Sequence, residues 1–225
     1  MKMNTFSLEP VKVLPVDTKY RKIVSKAIPS PKSIKLVKEL TEYEPASMFG
    51  QVPIGIAKTY GVNVEDQDGN VFLDATSGVL VTNIGHTPKV VSEAVKDQLE
   101  KFHFAYCFPY EKRLELVKKL IEITPKNIER VFLMTTGSEA VEAAIKNARR
   151  FGIETGGHQK RTIISFKGAF HGRTMGAQMA GGTDGLKTWI GYQDPYLIQV
   201  DFHACMHAGR IRTNRQTLRL RTLQS

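Results

Sequence analysis

The most constraining feature of this sequence is an alternation in its second half. A short apolar run at residues 130–135 meets a Thr-Thr-Gly-Ser turn. An amphipathic stretch over 138–150 follows, with Val141, Ala144, Ile145 and Ala148 at helical spacing. Three glycines, Gly152, Gly156 and Gly157, then break the chain before a β-prone run at 162–166. Strand, helix and strand at these lengths predict a βαβ unit in a parallel sheet, hence an α/β fold. The helix places Glu142 and Lys146 on its other face as an i,i+4 pair.

Upstream, residues 1–45 are Lys-rich and punctuated by prolines, an extended arm with a short helix around 34–40. Residues 62–64 and 71–73 flank an Asp-Gly step and predict a hairpin. The acidic loop between them lacks the spacing and closing Glu of a calcium-binding loop and reads as a turn. Two amphipathic helices are expected over 88–102 and 110–123, the second stopped by Pro125. The domains expected are an arm and hairpin segment at 1–75, an α/β body at 76–202 and an atypical tail at 203–225.

The formal charge of +10 raises nucleic-acid binding as a function. Its distribution argues against that. Five arginines and no acid lie in residues 203–225, so half of the excess belongs to the tail and the body is mildly basic. No apolar run approaches the ~18–20 residues of a membrane span. The N-terminus has no secretory pattern. Cys107 and Cys205 are then expected as reduced thiols, and the compartment as the cytoplasm.

Two segments carry candidate chemistry. At 135–140 a glycine sits between a predicted strand end and a helix start, where an open α/β sheet binds ligands. Gly137 permits close approach of an anion, the helix start offers free N–H groups, and Thr136 and Ser138 add hydroxyls. A capping box, Thr136 with Glu139, fits the same residues, and both can hold at once. At 168–174 the Phe170 ring offers a face to a flat cofactor, His171 a hydrogen bond, and Arg173 a bidentate partner for a carboxylate. The competing reading is a glycine-bounded turn with Phe170 in the core.

Taken together, these segments resemble class III pyridoxal-phosphate (PLP) aminotransferases. The string Thr-Thr-Gly-Ser-Glu-Ala-Val-Glu at 135–142 is similar to the 4-aminobutyrate aminotransferase form of the phosphate motif. Ala-Phe-His-Gly-Arg-Thr at 169–174 resembles the ring-stacking and carboxylate-binding turn. Asp74 through Val79 and the stretch from Asn83 to His86 resemble an early glycine segment near the substrate. The similarity runs from about residue 48 to 200.

The resemblance implies a type I PLP-dependent transferase fold: an incomplete large domain with a parallel-type sheet, plus an N-terminal segment. Gly137, Ser138, Phe170 and His171 would serve PLP, while Arg173 and Val79 would serve the substrate. Amino-group transfer from an ω-amino acid such as 4-aminobutyrate to a 2-oxo acid is implied, in a homodimer, without nucleic acid or membrane. The family also needs a lysine that joins PLP covalently and an aspartate for the pyridine nitrogen. Neither segment occurs here, and Lys167 and Lys187 match no catalytic pattern. Impaired catalysis is therefore expected, the alternative being a truncated fragment that binds PLP or a partner chain without turnover.

The tail changes composition abruptly. Before residue 203 lysine outnumbers arginine 20 to 7; afterwards arginine leads five to none. This pattern predicts a truncated chain whose end is read out of frame or replaced, the alternative being a real basic tail. His203, Cys205 and His207 lack the spacing and fourth ligand of a zinc site.

Overall fold

The computed structural model describes residues 6–48 and 50–202. The chain forms two compact units, divided after Tyr110. The tail at 203–225, with His203, Cys205 and His207, lies outside the described residues.

In the first unit, β1 (Val11–Lys12) pairs antiparallel with β4 (Ala27–Ile28). A five-stranded antiparallel sheet has the order β2-β3-β7-β6-β5: β2 Val16–Asp17, β3 Lys22–Ile23, β5 Ile56–Tyr60, β6 Asn63–Asp66 and β7 Val71–Leu73. The expected hairpin is β6–β7, and Gly69 turns it with φ 86°. The expected extended arm is partly strand, because its short runs find partners in this sheet and in β4. Helix α1 (Pro31–Tyr43) exceeds the expected 34–40 at both ends. Pro31 suits the first helical position, where its missing N–H costs nothing.

The interior of this unit is polar. Asp66 is 2% exposed and Asn70 fully buried. Asp66 Oδ1 accepts from the N–H of Asp68 and of Asn70, both at 2.9 Å. Its Oδ2 accepts from Ser30 Oγ and Asn70 Nδ2, both at 2.8 Å. The acidic loop is thus a structural turn whose central carboxylate is filled by protein donors.

After β7 comes α2 (Ser77–Leu80), a single turn with left-handed backbone throughout: φ is 55° at Ser77, 59° at Gly78, 60° at Val79 and 68° at Leu80. Side chains beyond glycine reach this region at a cost of ~1–2 kcal/mol per residue. Asp74 holds the turn, accepting from the Thr76 hydroxyl at 2.6 Å, the Gly78 N–H at 2.6 Å and His86 Nε2 at 2.7 Å. These partners, the Thr76 hydroxyl foremost, keep the Asp74 carboxyl far below the ordinary carboxylate range. Helix α3 (Lys89–Leu99) closes the unit, shorter than the expected 88–102, and Val91, Val95 and Leu99 on its apolar face stay exposed.

The second unit begins with α4 (Glu111–Ile123) and continues through α5 (Gly137–Gly156), β8 (Ile163–Phe166), α6 (Met175–Ala180) and β9 (Leu197–Val200). Strands β8 and β9 are parallel, in register from Ile163 opposite Leu197 to Phe166 opposite Val200. The parallel unit is therefore β8–α6–β9, one step later than expected. The run at 130–135 is not a strand. A strand exists only where a neighbour pairs its backbone, and among the described residues none pairs this run. Helix α5 continues past the expected stop at Arg150, because buried Gly152 lets the Lys160 carbonyl lie against the helix rather than breaking it. The helix ends at Gly157, whose φ is 74°.

Candidate cofactor site

The site is built on the start of α5 and the loop after β8. Thr136 caps α5, its Oγ1 accepting from the Glu139 N–H at 3.2 Å. No bond returns from Glu139 to Thr136 among the described residues, so the expected capping box forms only in half. The N–H groups of Gly137 and Ser138 have no partner among the described residues, as the first turn of a helix dictates. Gly137 is exposed, and a Cβ there would meet nothing within 4 Å. Two free amides and open space at the positive end of a 20-residue helix suit an anion.

The second motif comes directly onto the first. The Arg173 N–H donates to Ser138 Oγ at 3.2 Å. With its oxygen so occupied, Ser138 keeps its own hydroxyl hydrogen to donate. Gly172 is buried against Ser138, with φ 132°. A Cβ at Gly172 would collide with Ser138 Oγ and lie 2.8 Å from Ser138 Cβ. The glycine is needed both for its backbone angle and for this approach.

Phe170 is 69% exposed, so its ring face is open and it is not in the core, contrary to the competing reading. His171 is half-buried, and the Arg173 side chain is exposed. Gly137, Ser138, Phe170, His171 and Arg173 thus share the second unit. Val79 lies in the first unit, exposed on the left-handed turn.

Sequence reasoning missed Glu142. Its expected role was an outward ion pair with Lys146. Instead Oε1 accepts from the backbone N–H of Gly176 at 2.8 Å and of Ala177 at 3.0 Å, the start of α6. Burial opposes ionisation of Glu142, but the Thr174 hydroxyl beside it, these two amides and the charge of Lys146 outweigh burial and lower its pKa. The available signal was Gly176, four residues after Gly172, matching the four-residue step from Ser138 to Glu142.

Lys167 and Lys187, the two lysines weighed against the catalytic pattern, are engaged elsewhere. Lys187 Nζ donates to the Gly181 carbonyl at 2.8 Å and to Gln199 Oε1 at 3.1 Å. Lys167 pairs with Asp201 at 3.0 Å.

A helix-start anion cradle joined to an aromatic-His-Gly-Arg turn is geometry suited to a phosphorylated, flat-ringed cofactor in an α/β protein. The chain belongs to the class-III aminotransferase family, which it matches over residues 46–224. It is 37% identical over 144 residues to an acetylornithine aminotransferase of Methanopyrus kandleri, covering 64% of this chain and 36% of that protein. It is 40% identical over 123 residues to a succinylornithine transaminase of Salmonella typhimurium, covering 54% and 30%. The chain therefore spans about a third of the length of these relatives. Among solved structures, an aminotransferase of Bacillus anthracis superposes with TM-score 0.68 at 27% identity, over 80% of this chain and 40% of that one. A taurine:2-oxoglutarate aminotransferase of Bifidobacterium kashiwanohense, solved with PLP and glutamate, superposes with TM-score 0.65 at 26% identity, over 74% and 37%. The fold is that of these transaminases. The curated relatives of Methanopyrus and Salmonella are an acetylornithine and a succinylornithine enzyme, and neither supports the leaning toward 4-aminobutyrate.

Proposed function

We propose that this chain supplies the phosphate cradle and ring-facing turn of a PLP-dependent aminotransferase. The observation that carries the reading is the bond from the Arg173 N–H to Ser138 Oγ, which joins both motifs beside two amides that have no partner among the described residues. The Gly137 and Ser138 amides and the Ser138 hydroxyl hold the phosphate, Phe170 covers one face of the ring, and His171 flanks it. When bound, PLP supplies an electron sink for carbanionic charge. Arg173 receives a substrate carboxylate. The substrate role of Val79 rests on the family resemblance alone. Amino donors with an ω-amino group and a carboxylate fit this arrangement, acylated ornithines ahead of 4-aminobutyrate on the names of the curated relatives. The partners proposed are such a donor, a 2-oxo acid and a second copy of the chain.

A second reading, cofactor binding without turnover, is favoured by the engagement of Lys187 and Lys167. Titration with PLP, followed by borohydride reduction and peptide mass spectrometry, tests both. Saturable binding that Ser138→Ala weakens about tenfold supports the cradle. A fixed lysine adduct, with amino transfer from acetylornithine to 2-oxoglutarate, supports the enzyme. Binding without an adduct supports the second reading. Equal binding by the parent and the Ser138→Ala chain removes the cradle.

A further inference from the structure

Ser138 and Glu142 are four residues apart, on the same face of α5. Across from them run Gly172 and Gly176, also four apart. At the lower rung Ser138 Oγ accepts the Arg173 N–H, and at the upper rung Glu142 Oε1 accepts the N–H groups of Gly176 and Ala177. Each glycine lies so close that a Cβ would strike its opposite number, Ser138 Oγ at Gly172 and the Glu142 carboxylate at Gly176. Thr174, the N-cap residue of α6, makes no side-chain cap bond, so Glu142 supplies the cap from another helix. A carboxylate is suited to that position, because it accepts two amides at once at the positive end of the helix.

We propose that Glu142 is a positioning residue of this site: by capping α6 from α5 it fixes the turn carrying Phe170, His171 and Arg173 against the Ser138 cradle. Glu142 touches neither cofactor nor substrate and acts through the Arg173–Ser138 bond. Its effect on cofactor affinity rests on the PLP reading above; its hold on the turn does not.

The test is amide hydrogen exchange on the full chain, with Glu142→Gln, Glu142→Ala and, as a control outside the ladder that also touches α5, Asp194→Asn. Asp194 pairs with Arg149 at 2.7 Å and serves no part of the site. Glu142→Ala is expected to speed exchange at Gly176, Ala177 and Arg173 at least tenfold while β8 and β9 keep their protection. Glu142→Gln, whose amide oxygen still accepts, falls between and serves if the alanine variant does not fold. Asp194→Asn leaves the three amides as in the parent. Loss confined to Gly176 and Ala177, with Arg173 unchanged, would mean a local cap without reach to the cradle and would overturn the proposal. So would unchanged exchange at all three. Equilibrium dialysis against PLP on the same folded proteins is expected to show about tenfold weaker binding by Glu142→Ala and near-parental binding by Asp194→Asn; parental affinity with a loosened turn also overturns it. If the parent does not bind PLP, the functional reading fails and the exchange pattern alone decides the role of Glu142.

Discussion

Substituting Gly172 by alanine tests the joint between the two motifs most directly. Two costs add. At φ 132° an alanine backbone is strained, a cost of ~1–3 kcal/mol. The new methyl would also collide with Ser138 Oγ and sit 2.9 Å from Ser138 Cα, which belongs to a helix and cannot swing aside. Forcing a methyl into packed space costs a further ~1–3 kcal/mol. The total, about 2 to 6 kcal/mol, is a large share of the ~5–15 kcal/mol that holds a domain together. Trp189, the chain's single tryptophan, lies in the second unit, so its fluorescence follows that unit through urea unfolding. With slopes of ~1–3 kcal/mol/M, the midpoint should fall by about 1 to 3 M. In a Ser138→Gly background the same substitution should cost less, because the hydroxyl and Cβ it strikes are gone. A midpoint shift worth less than ~0.5 kcal/mol, within the ordinary range for innocuous surface changes, would refute the close-approach argument. An equal cost in both backgrounds would refute its assignment to Ser138.

Two further outcomes are expected, both in the first unit. Asp66→Ala removes the acceptor of four donors at once, and each buried donor left unpaired costs ~1–3 kcal/mol, so that unit should be largely unfolded by circular dichroism at room temperature. The Asp74 carboxyl titrates lower folded than unfolded, so its contribution is complete above the unfolded aspartate value and is lost only as pH falls through the depressed folded value; an acid titration should show a late transition that Asp74→Asn abolishes, and an identical profile in the variant removes Asp74 as its source.

Much of this was legible from local pattern. The Asp-Gly step gave the β6–β7 hairpin, and the spacing from Val141 to Ala148 gave α5 up to the residues where glycine misled. The Thr136 cap and the freedom at Gly137 followed from residue type alone. What escaped depends on partners distant in sequence. The run at 130–135 has strand composition, but pairing is a property of two segments. Glu142 with Lys146 satisfies the usual helical ion-pair spacing, and nothing in that spacing tells that the amides of residues 176 and 177 arrive to claim the carboxylate. The left-handed backbone at Ser77, Val79 and Leu80 escaped as well, since those side chains argue against it and the donors that converge on the Asp74 carboxylate, 2.6 to 2.8 Å away, help to hold it.

The polar interior of the first unit has a thermal consequence. Among its described residues the buried hydrocarbon is Ile23 with two prolines, Pro29 and Pro53, against Ser30, Ser33, Asn63, Asp66 and Asn70. Exposing apolar surface raises heat capacity by ~0.45 cal/K/mol/Å² and exposing polar surface lowers it by ~0.26, so buried amide and hydroxyl offset part of the apolar contribution. Such a unit unfolds with a smaller heat-capacity increment and a shallower stability curve than a hydrocarbon core of its size gives. Calorimetry would see a body that loses less stability on cooling than a hydrocarbon core does, because part of its order rests on directional bonds.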